Sequence, residues 1–450
     1  MGSKSTPSFR NACEVIHSNM KLYPPKVAFA VVVANMVGTG IFTSLGFQLL
    51  AISDTQLILL LWFIGGICAL CGALCYAELG VRHTDSGGEY HFLTELIHPY
   101  AGFISGCVSA TVGFAAPIAL AALTFGSYLQ AGLVPIDPRW SATFLIATLV
   151  IIHTRTRSES SAGQVYLTAL KLLLIIGFIS LALFNTPAFI DQLRADTQPS
   201  ADTLFSSEVA VALIYVTYAY SGWNAATYVL GEMEDPRRYL PRVLLAGCAF
   251  VTLLYLALNA VFLISAPIDA MRGEVEIGYV VAGYLLGDTG ALVVAVILAG
   301  ILISTVSAMV LAGPRALMRL GGDYRRLRWL GVLNKDGLPK NAIFFMGAIA
   351  LLFLWSSTFE QILVFAGLLM ATNTLVTVIA LFISRFRSPG HAGDNLYRMP
   401  FYPLPAIIFL GITGWTVIYS AFSFPTQVGV FVIALIGGWP LYRWAQGSGN

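Results

Sequence analysis

Residues 207–242 read SEVAVALIYVTYAYSGWNAATYVLGEMEDPRRYLPR, a long apolar run interrupted at Tyr218, Tyr220, Ser221, Gly222, Trp223 and Asn224 and ended by Glu232, Glu234, Asp235, Pro236 and two arginines. A helix that only anchors a chain in lipid needs none of these groups. Inside a bilayer every backbone amide and carbonyl needs an internal partner, so weak helix formers and polar side chains at mid-depth are tolerated chiefly where helical hydrogen bonds are given up around a cavity. Taken alone, Ser221-Gly222 also reads as a packing notch between helices, where small residues are common. A second interruption at the same depth weighs against the notch.

That second interruption lies near the start. From Lys26 the chain reads KVAFAVVVANMVGTGIFTSLGFQLL, with Gly38-Thr39-Gly40 about a dozen residues into the apolar run. Each run before its break is about 11 to 13 residues, or roughly 16 to 20 Å of helix, half a bilayer. Two broken spans about 180 residues apart are the sequence sign of an inverted-repeat transporter.

Composition supports an integral membrane protein. Hydrophobic residues make up 57% and charged residues 11% of 450, and mean hydropathy is +0.78, whereas about a quarter of a soluble chain is charged. The net charge of +2 is scattered through short loops and gives no reason to expect a nucleic-acid partner. Cys68, Cys71 and Cys75 fall on one side of an apolar helix without a histidine or carboxylate cluster beside them, and read as packing. No metal ligand set, nucleotide loop or nucleophile triad is recognisable, so neither an enzyme nor a cofactor is expected. The glycines at 283 and 287 read as bundle packing.

Twelve spans are expected, at roughly 27–50, 55–80, 92–131, 140–154, 163–185, 207–231, 241–264, 278–313, 341–356, 360–384, 403–421 and 424–444. With both termini cytoplasmic, all but four of the 25 Lys and Arg fall on the cytoplasmic side; Arg139, Arg194 and Arg272 lie outside and Lys171 within a span. The positive-inside rule is thereby satisfied. The expected organisation is an all-α membrane protein with a 5+5 inverted repeat and discontinuous first and sixth helices. A cytoplasmic tail (1–25) precedes the first repeat (26–185). An extracellular loop (186–206), the second repeat (207–384), two further helices (385–445) and a short cytoplasmic tail (446–450) follow.

If the breaks meet, the amides of Thr39, Gly40 and Ile41 open a half-helix and favour an anion. The carbonyls of Asn35, Met36, Val37, Tyr218, Ala219 and Ser221 end the other half-helices and offer acceptors to a cation. Amides beside carbonyls suit a zwitterion, and an α-amino acid is the simplest biological one. Tyr218 and Ile41 would wall its side chain.

VGTGIF (Val37–Phe42), AYSGWN (Ala219–Asn224) with the GEMEDPRRYLP run after it, and CYAELG (Cys75–Gly80) resemble the amino acid–polyamine–organocation superfamily and, within it, the L-type amino acid transporters and their bacterial relatives. The resemblance covers about residues 20–420 and implies a helical transporter fold. It implies substrate-carboxylate binding at Thr39, Gly40 and Ile41 next to Gly38, a gate at Tyr218, and Asn224 bracing the unwound segment. Lys171, inside the fifth span, then stands where sodium-coupled relatives bind a cation, which implies sodium independence. Its own residues leave two alternatives, a lysine that snorkels past Gln164 to the interface and a titrating group in proton symport.

Two departures from the family pattern stand out. Ser221 replaces a usual glycine and, with Tyr218, argues for small neutral substrates such as alanine, serine, threonine, cysteine or glycine. Gly231 leaves only Glu232 of a usual glutamate pair at the cytoplasmic gate. Glu78 reads as a gate residue or as a helix-end partner of Arg82. Glu89 and His91 read as caps of the loop entering the third span. Ser109, Thr111 and Asn373 either line the pathway or bond neighbouring helices. Exchange of small neutral amino acids at a bacterial inner membrane leads. Proton-coupled symport, large-neutral transport and cationic amino acid or polyamine transport are the alternatives; no acid lies mid-span in spans one, three, six or ten to meet a second positive charge. The loop at 132–138 lacks a cysteine for a partner glycoprotein, so a stand-alone, monomeric unit among membrane lipids is expected.

Overall fold

The computed structural model describes residues 22, 24–155, 161–185, 190–193, 204–334, 337–387 and 396–447, and among these it is helical, with no β-strand. Most of both expected tails and most of the expected loop at 186–206, with Arg194, lie outside the described residues.

The first apolar run folds as two pieces, α1 (Pro25–Met36) and α2 (Gly40–Gln48). The helical ladder ends with the Val37 amide on the Val33 carbonyl, after which Val37 leaves helical geometry at ψ 78°. The other interrupted run gives α9 (Ser207–Tyr220), which stops at Ser221 (ψ 154°) and Gly222 (φ +92°) before a 3-10 segment at Ala225–Glu232. Ser206 caps α9 by accepting from the Val209 amide at 3.4 Å.

Between the two runs lie α3 (Thr55–Arg82), α4 (Glu89–Leu96), α5 (Pro99–Val108), α6 (Ala116–Gly132), α7 (Pro138–Arg155) and α8 (Ser161–Phe184). After them come α10 (Pro236–Ser265), α11 (Ile277–Ala312), α12 (Lys340–Ser356), α13 (Phe359–Arg387), α14 (Leu404–Ser423) and α15 (Pro425–Gln446). α5 and α6 are joined by a π-helical stretch at Ser109–Ala115. Its cause is local. Pro117 has no N–H for the Gly113 carbonyl and its ring crowds that group, so the ladder widens and the Ala116 amide reaches Thr111 instead.

Two expected boundaries need correction. The third span does not begin at residue 92: that stretch belongs to α4, and the crossing helix starts at Pro99, whose missing N–H is harmless in a first turn. Gly287 is not a packing glycine. It interrupts α11 at φ +71°, with no atom within 4 Å of where a Cβ would stand.

Eight helices among the described residues are long and apolar enough to cross a membrane, and Thr168–Phe184 and Lys340–Ser356 are shorter apolar helices. The remaining expected spans fall on α7 and on α9 with its 3-10 extension, which are interrupted or less apolar. The outer surface is itself apolar. Phe144, Phe184, Phe386 and Ile433 are 75%, 86%, 89% and 70% exposed, while Glu78, Glu89, Asn224 and Lys171 are buried. That inversion fits lipid as the surrounding solvent, with polar groups kept inside the bundle.

Candidate functional site

The two breaks meet. A Cβ on Gly40 would stand 2.5 Å from the Ala219 Cα, and one on Gly222 would stand 2.8 Å from the Asn35 carbonyl carbon. Only glycine allows this approach, and Gly222 also needs its positive φ. The sequence therefore places glycine where the two interrupted segments must touch.

Among the described residues the amides of Thr39, Gly40 and Ile41 meet no backbone acceptor, and they open α2. Thr39, Ile41 and Tyr218 are buried, and Gly38 is half-buried. Free amides at a helix start favour a nearby anion.

The carbonyl side differs from expectation. Val37 O accepts from Lys171 Nζ at 2.9 Å, and Tyr218 O accepts from the Ser221 amide at 3.0 Å. Met36 O accepts from the Gly38 amide at 2.8 Å and faces the Tyr255 hydroxyl at 2.5 Å. The same hydroxyl lies 3.0 Å from Ala219 O. A hydroxyl has one proton, so Tyr255 serves these carbonyls alternately; Ala219 O keeps a lone pair throughout, and Met36 O keeps one while the hydroxyl is on Ala219. Asn35 and Ser221 carbonyls have no backbone donor among the described residues; the Asn35 side chain bonds back to Val31 O at 2.8 Å. Three of the six expected acceptors are thus committed to fixing the breaks, and one is shared.

Lys171 on α8 is 6% exposed, and its Nζ also lies 3.1 Å from Thr305 Oγ1 on α11. It turns inward onto the α1 break rather than outward along lipid, and no ion pair among the described residues includes it. Its ammonium thus sits where it joins α1, α8 and α11. Tyr255 and Thr305 were not singled out from sequence. The available signal was a tyrosine and a threonine in otherwise apolar helices, which packing explains equally well.

On one side of the breaks α2 and α9 are bonded to each other. Ser44 Oγ donates to Tyr215 O at 3.1 Å and Gln48 Nε2 to Ala212 O at 3.3 Å. Trp62 Nε1 donates to Gln48 Oε1 at 2.9 Å, and the Tyr215 hydroxyl to Glu360 at 2.7 Å.

On the other side stands a residue the sequence reading placed wrongly. Glu89 opens α4 as a cap of the loop would, but its carboxyl turns into the bundle and the residue is 1% exposed. Its Oε1 accepts from Tyr76 at 3.1 Å and from Asn224, and its Oε2 accepts from Tyr228 at 2.5 Å. Burial pushes its carboxyl above the ordinary range and outweighs these three donors. Asn224 accordingly holds the stretch after the second break onto Glu89. Ser109 lies 3.4 Å from the Tyr228 hydroxyl, and Thr111 bonds back to Cys107 O at 2.8 Å.

Glu78 is fully buried and pairs with Arg82, the expected helix-end partner, and with Arg385. It accepts from Arg82 at 3.0 Å, from Arg385 at 2.8 and 2.5 Å, and from the Met399 amide at 2.8 Å. It therefore ties the end of α3 to the end of α13 and to the segment before α14. Glu232 is half-buried; one carboxylate oxygen is buried without a hydrogen-bond partner among the described residues, and no ion pair there joins it to the Glu78 cluster. Asn373 is half-buried and its carbonyl accepts from Thr377 at 2.9 Å. Cys68 and Cys75 pack against Thr413 and Met399.

A family model described as amino acid permease matches residues 26–439. The chain is 27% identical over 438 residues to the mouse Asc-type amino acid transporter 1, covering 92% of this chain and 79% of the relative. It is 25% identical over 435 residues to the human large neutral amino acids transporter small subunit 2, with 92% and 78% covered. It is 27% identical over 431 residues to the serine/threonine exchanger SteT of Bacillus subtilis, with 92% and 94% covered. With a match over nearly its whole length, the chain belongs to the amino acid permease family, a branch of the amino acid–polyamine–organocation superfamily with L-type relatives, and is a multi-pass membrane transporter of amino acids, not an enzyme.

Proposed function

We propose that this protein exchanges small neutral L-amino acids across a bacterial inner membrane, independently of sodium, by alternating access. The observation that carries this reading is Lys171 Nζ on the Val37 carbonyl at the point where the two breaks meet. A fixed ammonium there already neutralises the carbonyl ends that a sodium ion would otherwise hold. The substrate carboxylate goes to the Thr39, Gly40 and Ile41 amides. Its ammonium goes to the Asn35 and Ser221 carbonyls and the remaining lone pairs of Met36 and Ala219. Tyr218 closes over it as the gate.

Twelve spans in a 5+5 inverted repeat, with both termini cytoplasmic and α2 on the outside, give the two clamps their opposite faces. The chain works as a stand-alone unit. The relative named as a serine/threonine exchanger supports small substrates, and the one named for large neutral amino acids supports the alternative.

Ser221 and Tyr218 set substrate size. A panel of the twenty amino acids competing against labelled alanine in proteoliposomes tests this. Alanine, serine, threonine, cysteine and glycine should compete best. Ser221→Gly should improve competition by valine or leucine by about 10-fold or more, given about 1 to 3 kcal/mol per methylene, with alanine nearly unchanged. Strong competition by leucine with alanine inert in the unmutated protein would overturn the size assignment.

A further inference from the structure

The sequence reading found no metal ligand set, yet the turn between α3 and α4 gathers one. His91 and Glu95 lie one helical turn apart on α4, and Asp85 comes from the preceding loop. His91 Nε2 is 3.8 Å from Asp85 Oδ2 and 3.7 Å from Glu95 Oε2, and the three ligand atoms lie within 4.8 Å of one another. These separations are too long for hydrogen bonds. The two separations from His91 Nε2 lie near the edge of about 3.3 Å between ligands of a tetrahedral ion bonded at about 2.0 Å, and the carboxylates would draw in on binding.

A fourth residue braces the group. His83 Nδ1 lies 3.1 Å from Glu95 Oε2, while its Nε2 lies 3.2 Å from Ser384 Oγ near the end of α13. A ring held at both nitrogens fixes Glu95 as an outer-shell partner does in metal sites. The His91 side chain is 9% exposed, whereas Asp85 and Glu95 are 77% and 48% exposed. The imidazole is therefore preset at the base of the cluster, and the carboxylates keep an open path to solvent.

We propose that Asp85, His91 and Glu95 form a binding site for a divalent transition-metal ion of the zinc or cobalt class, braced by His83. One imidazole with two carboxylates favours such borderline ions over magnesium, which prefers oxygen ligands and retained water. Bound there, the ion fastens α4 to the 83–85 loop. α4 also carries Glu89, so the site stands beside the hub that holds Asn224.

The test is calorimetric titration of the purified full-length protein, free of any histidine tag, with zinc chloride, followed by the visible spectrum of the cobalt form. One equivalent should bind, and magnesium should not displace it. Asp85→Asn and Glu95→Gln should each weaken binding by at least about tenfold, and His83→Gln by about tenfold. His98→Ala, at the exposed start of α5, should leave it unchanged. Asp85 is exposed, so its asparagine variant should fold, and metal-free melting curves verify this for each variant. Binding indifferent to both Asp85→Asn and Glu95→Gln, or lost in His98→Ala, would overturn the site and mark the zinc as adventitious.

Discussion

The two sides of the joined breaks are built from different chemistry. On the α2 side the clamp between the half-helices is neutral and aimed at backbone: Ser44 onto Tyr215 O and Gln48 onto Ala212 O, at 3.1 and 3.3 Å. On the α4 side it runs through two buried carboxyls, Glu89 onto Asn224, Tyr76 and Tyr228, and Glu78 onto two arginines. Neutral bonds to backbone hold two helices as one body and change little with surroundings. Buried carboxyls hold strongly only while every donor stays in place, so that side responds to a shift of one partner. From this difference we expect α2 and α9 to move together, and the contacts made and broken in a transport cycle to lie around Glu78 and Glu89.

The strongest break in this comparison is Glu78→Gln. Arg82 and Arg385 would both face a neutral amide, and removing one partner of a buried ion pair costs about 3 to 5 kcal/mol. A large drop in melting temperature is expected in detergent. An unchanged melting curve would mean that the arginines find other partners and that the α4 side is no more charge-dependent than the α2 side.

Glu89→Gln comes next, with an expected cost of about 1 to 3 kcal/mol because an amide N–H₂ must face one of the hub's donors. Its pH dependence has a definite sign. Burial raises the Glu89 carboxyl above 4.5, so its stabilising contribution is complete below that value and is lost as pH rises through the raised one. The melting temperature of the unmutated protein relative to Glu89→Gln should therefore fall as pH increases from about 4.5. A difference that stays flat or grows with pH would place the carboxylate in a solvated setting.

Ser44→Ala sharpens the comparison from the other side. It removes one neutral hydrogen bond, worth about 0.5 to 1.5 kcal/mol, and should show no pH dependence. Loss of stability as large as that of Glu78→Gln would reverse the ranking of the two clamps.

Much of the site was legible because its signals are local. Gly38, Gly40, Ser221 and Gly222 are poor helix formers inside apolar runs, and Lys171 is a charge where hydrocarbon should be. The structure brings these residues together, and it assigns part of the carbonyl row to Tyr255 and Lys171 rather than leaving it open. Glu89 was misread for a physical reason. It follows Ser86-Gly87-Gly88 and opens a short helix, the pattern of an exposed cap, and its burial depends on Tyr76 and Tyr228 from distant segments. Tyr255 and Thr305 carry no local signal at all, since their roles arise from which helices cross beside the breaks. The π-helical stretch was missed because hydropathy runs smoothly across Pro117, whereas the start of α5 had a signal in the polar dip at Glu95, His98 and Pro99 that the apolar Phe92, Leu93, Leu96 and Ile97 before it masked.

The central claim is that Lys171 supplies the positive charge at the α1 break and that no ion need bind there. Uptake of labelled alanine into proteoliposomes loaded with unlabelled alanine, with sodium on both sides replaced by choline, tests it most directly. The rate should be unchanged, uptake into empty vesicles should be small, and Lys171→Ala should lower exchange by roughly tenfold to a hundredfold while the protein still folds, as expected for a charged hydrogen-bond donor worth about 1.5 to 3 kcal/mol. A sodium gradient that drives accumulation into empty vesicles about tenfold, equivalent to about 1.4 kcal/mol of coupling, or normal exchange by Lys171→Ala, would contradict the claim.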